Sequence, residues 1–130
     1  MSTNRIVKLY LSADNTRKVR TLRIRTSLTP NVLCRFALAL SLRDRGIPDP
    51  STFPNDGMEF NRYTLLGAHE VLMLALVRQR CLQDGLDPET ELEEQLRAHI
   101  NRGIGILYPR LKSLSDLGEL TTQAYSVRSS

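Results

Sequence analysis

Histidine, cysteine and aromatic side chains are scarce in this sequence, and tryptophan is missing. Two histidines, two cysteines and 5% aromatic residues stand among 130 positions. Cys34 and Cys81 have no CxxC partner, and neither His69 nor His99 lies at ligand spacing from them. The common zinc patterns and a dithiol redox motif are therefore excluded. In a reducing compartment a disulfide is not expected either. Both cysteines fall within apolar helical patterns and should pack as small hydrophobes; a sulfur relay through one of them would need an exposed thiolate. Long apolar runs are also lacking. The longest, Val71 to Val77, is far short of the roughly 20 residues that span a bilayer. The opening MSTNRIVKLYLSADN has no long apolar stretch behind its charge. The expectation is a soluble, cytoplasmic protein with no membrane partner.

One further absence is local. From Arg17 to Arg43 there is no Asp or Glu. Within that span Arg17, Lys18, Arg20, Arg23 and Arg25 crowd into nine residues. Residues 1–45 hold ten Lys/Arg against two Asp/Glu, whereas residues 46–130 hold eight against twelve. An exposed helix ordinarily mixes signs to gain i,i+4 pairs. Self-repulsion left uncompensated over so short a span points to an anionic ligand that supplies the countercharge. A solvated helix face is the plainer alternative.

Periodicity places this segment on a helix. RIVKLYLS alternates, with Val7, Leu9 and Leu11 on one side, and reads as a short strand. Ser12 is a plausible N-cap for a helix that runs through Asn15 to about Thr26. On it Val19 and Leu22 form a narrow buried stripe, flanked by Asn15 and Thr26, and the cations form a wide arc with Ile24 among them. Thr29-Pro30 then starts PNVLCRFALALSLR, on which Val32, Leu33, Phe36, Ala37 and Leu40 form one face while Cys34, Leu38 and Leu42 lie elsewhere around it. This helix is apolar nearly all round, which in so small a domain suggests contact with another subunit. DRGIPDPSTFPNDG is a loop, MEFNRYTLLG a second strand, and Ala68 to Gln83 a third helix that is again apolar nearly all round, stopped by Gly85. Asp87-Pro88 starts a fourth helix with the inner stripe Leu92, Leu96, His99 and Ile100. Gly103, Gly105 and Pro109 should break it, with one or two short helices following. The fold class is thus mainly α, four to six helices with one or two short β-strands, and a ribbon-helix-helix-like N-terminal part. Residues 1–117 form a single domain and residues 118–130 a disordered tail.

No catalytic constellation stands out, so the chain is expected to be neither an enzyme nor dependent on a cofactor or metal. His99 lies on an apolar stripe, as a satisfied core histidine does. The carboxylates at 89–94 sit where a helix dipole favours them. GIGI lacks the strand context of a phosphate-binding loop. For the basic segment two modes are open. In a ribbon-helix-helix dimer Asn4, Ile6, Lys8 and Tyr10 would touch bases. Otherwise the helix itself meets backbone phosphates and sequence is hardly read. The segment has no aromatic residue, which argues against a single-strand stacking platform.

The motifs LTPNVLCRFALALSL, FNRYTLLG, EEQLRAHINRGI and LKSLSDL, in this order, resemble the DNA sulfur modification protein DndE family. The resemblance runs from about Arg5 to Leu117. It implies a small, mainly helical DNA-binding component of the bacterial phosphorothioation system, which replaces a non-bridging phosphate oxygen with sulfur. It further implies work beside a cysteine desulfurase, an iron–sulfur ATP-pyrophosphatase-like protein and an ATPase. Family members are described as homotetramers that favour nicked duplex DNA and bind it through basic side chains. Where they often carry lysine and glycine, this chain has Arg23 and Ile24. The expected DNA contacts are Arg17, Lys18, Arg20, Arg23 and Arg25, with Lys8 outlying. The expected partners are double-stranded DNA, nicked or intact, the other modification proteins, and further copies of the chain in a tetramer. A scaffold for the larger proteins with little DNA binding of its own is the alternative.

Overall fold

The structure is a computed structural model, and it describes residues 8–113 together with 115, 116 and 118. Asn4, Ile6 and Val7, and all of the expected tail but Gly118, lie outside these residues. The element order is β1 (Lys8–Tyr10), α1 (Ala13–Thr26), α2 (Pro30–Arg43), β2 (Glu59–Asn61), α3 (Arg62–Leu66), α4 (Glu70–Gln83) and α5 (Pro88–Leu107), with 3-10 turns at Pro50–Thr52 and Gly67–His69. The protein is mainly helical, with one small antiparallel sheet.

The helix starts follow from their caps. The side chains of Ser12, Thr29 and Asp87 accept from the backbone amides of Asn15, Val32 and Glu89, which satisfies amides that the first turn leaves open. Proline follows at the first position of α2 and α5. Gly85 stops α4 at φ +77, and the Leu86 amide donates back to Cys81 O at 2.8 Å.

β1 pairs with β2 of its own chain, Leu9 opposite Phe60 and Lys8 opposite Asn61. Leu9 and Phe60 both point into the core. The strand thus has a partner without a second subunit, unlike the shared ribbon of a ribbon-helix-helix dimer. The expected second strand is also shorter than the motif. Asn61 Oδ1 accepts from the amides of Tyr63 at 2.8 Å and Thr64 at 3.3 Å, and so caps α3 where a continued strand was expected.

α2 lies against α5, and this pair forms the centre. The buried side of α2 is Leu33, Cys34, Ala37, Leu38 and Ser41. Of the face that carries Val32, Leu33, Phe36, Ala37 and Leu40, Leu33 and Ala37 are buried, whereas Phe36 stands outward at 36% exposure. Gly103 explains the choice of face. A Cβ on Gly103 would lie 1.9 Å from the carbonyl oxygen of Ala37, so the two helix backbones touch at this point. α5 does not break there; it runs unbroken through Gly103 and Gly105 to Leu107. Gly103 is a contact point and not a stop.

α5 also anchors the rest. Asn101 Oδ1 accepts from the Ser12 amide at 3.0 Å and from Asn15 Nδ2 at 2.8 Å. Asn101 Nδ2 donates to Tyr10 O at 3.2 Å and to Arg97 O at 3.0 Å. One buried amide therefore fixes the end of β1 and the start of α1 on α5. Arg97 donates to the carbonyls of Phe53 and Pro50. Arg80 donates to Leu42 O and Gly46 O and pairs with Asp84. Arg102 donates to Ser41 O and Gly46 O. These three arginines hold the proline-rich loop in place.

Gly103→Ala is expected to destabilise the protein by about 3 kcal/mol or more, because neither backbone can yield without separating the helices. Gly105, two residues on, meets nothing within 4 Å. There the same change should stabilise by about 0.5–1 kcal/mol. Urea unfolding of the two variants side by side measures the difference in sign.

Candidate nucleic-acid interface

α1 presents its cations because its other side is fully committed. Asn15, Thr16, Val19, Leu22 and Thr26 are buried. The remaining directions carry Arg17, Arg20, Arg23, Ile24 and Arg25, all exposed, with Lys18 half-buried. The helix is well formed to its end. Thr26 Oγ1 donates to Leu22 O at 2.8 Å, and Ser27 turns left-handed at φ 63 with its amide on Arg23 O. The face is thus a rigid ledge.

Its charges are not equally free. Asp14 takes Arg17 at 2.6 Å and Lys18 at 3.1 Å, one turn along the helix. Hydrogen bonds from these two hold the Asp14 carboxyl below its usual range, and the same contact raises the Arg17 guanidinium. The guanidinium carbon of Arg25 stands 5.1 Å from the centre of the Tyr108 ring, and Lys18 Nζ 5.8 Å from it. An exposed cation–π contact of this kind is worth about 0.5–1 kcal/mol, enough to orient Arg25 without neutralising it. Arg20 and Arg23 have no acidic partner among the described residues. Lys8 is on β1 and meets Glu59 across the sheet at 3.4 Å. The structure therefore brings Arg17, Lys18, Arg20, Arg23 and Arg25 together on one helix and leaves Lys8 apart. Asp14 and Tyr108 were not expected at this face. Asp14 was legible from its i,i+3 and i,i+4 spacing; Tyr108 lies far along the chain and gave no local signal.

The other chemistry-bearing residues are turned inward. Cys34 is buried, which pushes its thiol up to about 12, and burial also raises the thiol of Cys81. Neither offers the thiolate that a sulfur relay requires. Ser41 Oγ and His99 Nδ1 lie 2.8 Å apart, but both residues are fully buried and cannot meet a substrate. Arg102 Nε donates to the same Ser41 oxygen at 2.9 Å. Burial favours the neutral ring of His99, and its Nε2 is buried without a hydrogen-bond partner among the described residues. A cleft of about 570 Å³ opens between the first turn of α1, the Thr52–Pro54 segment and Gly105 of α5. Arg102 lines it, but its guanidinium is already bound to Ser41, Arg45 and Gly46. Among the described residues no group of three or more His, Cys, Asp or Glu could hold a metal, and no helix is long and apolar enough to cross a membrane.

Fold and surface together define a small, mainly helical protein with a cationic helix face. The family model for DNA sulphur modification protein DndE matches residues 8–115, and the chain belongs to the DndE family. The crystal structure of DndE from Escherichia coli B7A, involved in DNA phosphorothioation modification, is similar in fold: TM-score 0.62 and 24% identity, over 78% of this chain and 96% of that one. A DndE mutant involved in DNA phosphorothioation gives TM-score 0.62 and 22% identity over the same shares. Comparison with curated proteins gave no match.

His99 carries a pH dependence of its own. Burial, with the charges of Arg102 and Arg80 beside it, lowers its pKa from 6.5 to about 4. Below about pH 6.5 the unfolded chain takes up a proton that the folded chain refuses until about pH 4. Stability is therefore full above about 6.5 and falls as the pH drops from there to about 4, by about 2–3 kcal/mol. Urea midpoints across that range should show the decline, and His99→Gln should flatten it.

Proposed function

We propose that this chain is a non-catalytic, DNA-binding component of the phosphorothioation machinery that holds duplex DNA, with a preference for nicks, on the cationic face of α1. The observation that carries this reading is Arg20 and Arg23. They stand exposed on a rigid helix with no acidic partner among the described residues. Arg25 and the half-paired Arg17 and Lys18 extend the face, and Lys8 contributes from β1 once Glu59 releases it. Arginine forks suit phosphate oxygens. Phosphate contact without base readout gives affinity that is independent of sequence.

The chain acts as a homo-oligomer, a tetramer by family resemblance, and α4 supports this. Val71 is 84% exposed, Leu72 59%, Leu76 46% and Leu82 57%. Only Val77, Arg80 and Cys81 of that helix are buried. An apolar strip on this scale is rare on a lone small domain. Several copies would present several cationic helices to one duplex and raise avidity without a strong single site. The same strip favours the second reading, a scaffold that docks on larger modification proteins and touches DNA little.

Fluorescence anisotropy with a labelled duplex separates the two. DNA binding predicts that log affinity falls with log salt by about 0.9 per phosphate neutralised. Arg20→Ala with Arg23→Ala should weaken binding to all sequences alike and flatten that slope by about 2. No binding by the wild type at low salt favours the scaffold, and unchanged binding in the double variant removes α1 from the interface.

Light scattering tests the oligomer. The wild type should exceed the 14.7 kDa of one chain several-fold. Leu72→Asp with Leu76→Asp should bring the mass down towards one chain. A wild type at 14.7 kDa would leave the α4 strip to another partner.

A further inference from the structure

We propose that Ile24 is an apolar wedge, which the cationic helix presses between base pairs and seats at a nick, where stacking is already interrupted. This rests on reading α1 as the DNA-binding face. Ile24 is 84% exposed, as fully as any large apolar residue of the described chain. Its direction is not incidental. At about 100° per residue it points about 170° away from the midpoint of Val19 and Leu22, so no part of its own core can cover it. Arg20 stands one turn before it, Arg23 and Arg25 are its chain neighbours, and Arg17 lies along the same line two turns back.

The surroundings select the occupant. The exposed apolar residues of α4 form a strip, as a protein interface does. Ile24 is a single apolar side chain ringed by cations. Another protein would have to bring an apolar socket inside an acidic rim. A duplex has that arrangement throughout, with charged phosphates outside and an apolar stack of bases within. The longer arginines reach phosphates on either side while the shorter isoleucine meets the bases between them. Apolar wedges of this kind unstack a base step and kink the duplex. At a nick the backbone no longer resists the kink, and the helix can approach the stack. The wedge also needs a firm seat. The bonds from Ser27 N to Arg23 O and from Thr26 Oγ1 to Leu22 O, both 2.8 Å, keep the last turn of α1 intact around it.

The test uses the full chain and two duplexes of one sequence, intact and singly nicked, with 2-aminopurine beside the nick. The wild type should bind the nicked duplex more tightly, and the probe should brighten as its neighbour unstacks. Ile24→Ala removes apolar surface worth about a tenfold change, so it should lower the nicked-to-intact affinity ratio by about that factor and abolish the brightening. Ile24→Leu should keep both. Arg20→Ala should weaken both duplexes together and leave the ratio. A ratio and a brightening that survive in Ile24→Ala overturn the wedge. So does a wild type that binds both duplexes equally without brightening, although α1 would then still bind DNA. A change in solution mass with Ile24→Ala would make the residue a subunit contact and overturn it as well. If the wild type binds neither duplex, the reading of α1 fails first and the wedge with it.

Discussion

One turn of α5, from His99 to Gly103, makes the joints on which the molecule depends. Gly103 lets the backbone of α5 touch that of α2 at Ala37. His99 and Arg102 close on Ser41 one turn further along α2. Asn101 reaches the other way and fastens Tyr10, Ser12 and Asn15. The constraint is geometric before it is energetic. Only a residue without a Cβ allows the helices to come this close, and only at that distance do the polar side chains on either side span the gap. The start of the cationic helix is therefore positioned by a residue that carries no charge and lies outside it.

The arginines divide by partner. Arg80, Arg97 and Arg102 bind backbone carbonyls of the proline-rich loop, and Arg35 binds Leu65 O. Arg62 pairs with Glu70, and Arg78 with Glu89. A planar fork with several donors suits loop carbonyls that no helix or strand satisfies. These residues add to the net charge of the sequence without adding to the cationic face of α1. The +4 formal charge is thus a poor guide to the cationic face, whereas the local absence of acids after Arg17 is a good one.

Much of this was legible, and the reason is local chemistry. Ser12, Thr29-Pro30 and Asp87-Pro88 fixed three helix starts, and Leu86 after Gly85 fixed an end, because caps are satisfied by neighbours in sequence. Val19 and Leu22 with Asn15 and Thr26 fixed the buried side of α1 by period alone. What misled was residue type with two meanings. Gly103 reads as a helix breaker, and only the approach of Ala37, 66 positions earlier, shows it as a contact. Asn61 reads as part of a strand until its side chain is seen on Tyr63 N. Phe36 shares an apolar face with Ala37 by period, yet it lies outward because the side of α2 that Ala37 occupies is the one Gly103 can reach. Tyr108 beneath Arg25 has no local signature, since a ring below a cation is set by how α5 ends against α1.

The residue types on α1 constrain what it can recognise. Its exposed side chains are four guanidinium groups, the Asp14 carboxylate, an alanine and an isoleucine, with Lys18 and Thr21 half-buried beside them. Asparagine or glutamine at a base edge, the usual readers of adenine, are absent from the exposed side, since Asn15 is buried against Asn101. If it meets DNA as proposed, such a face distinguishes it by charge spacing and deformability, not by sequence. That suits a modification whose target is the phosphate itself, because the groups that hold the backbone need no knowledge of the bases it carries. It also assigns the choice of sequence elsewhere. If α1 is the DNA contact, any sequence preference of the modification must come from another component, and this chain's part is to hold a backbone whose continuity, or its interruption, it can feel.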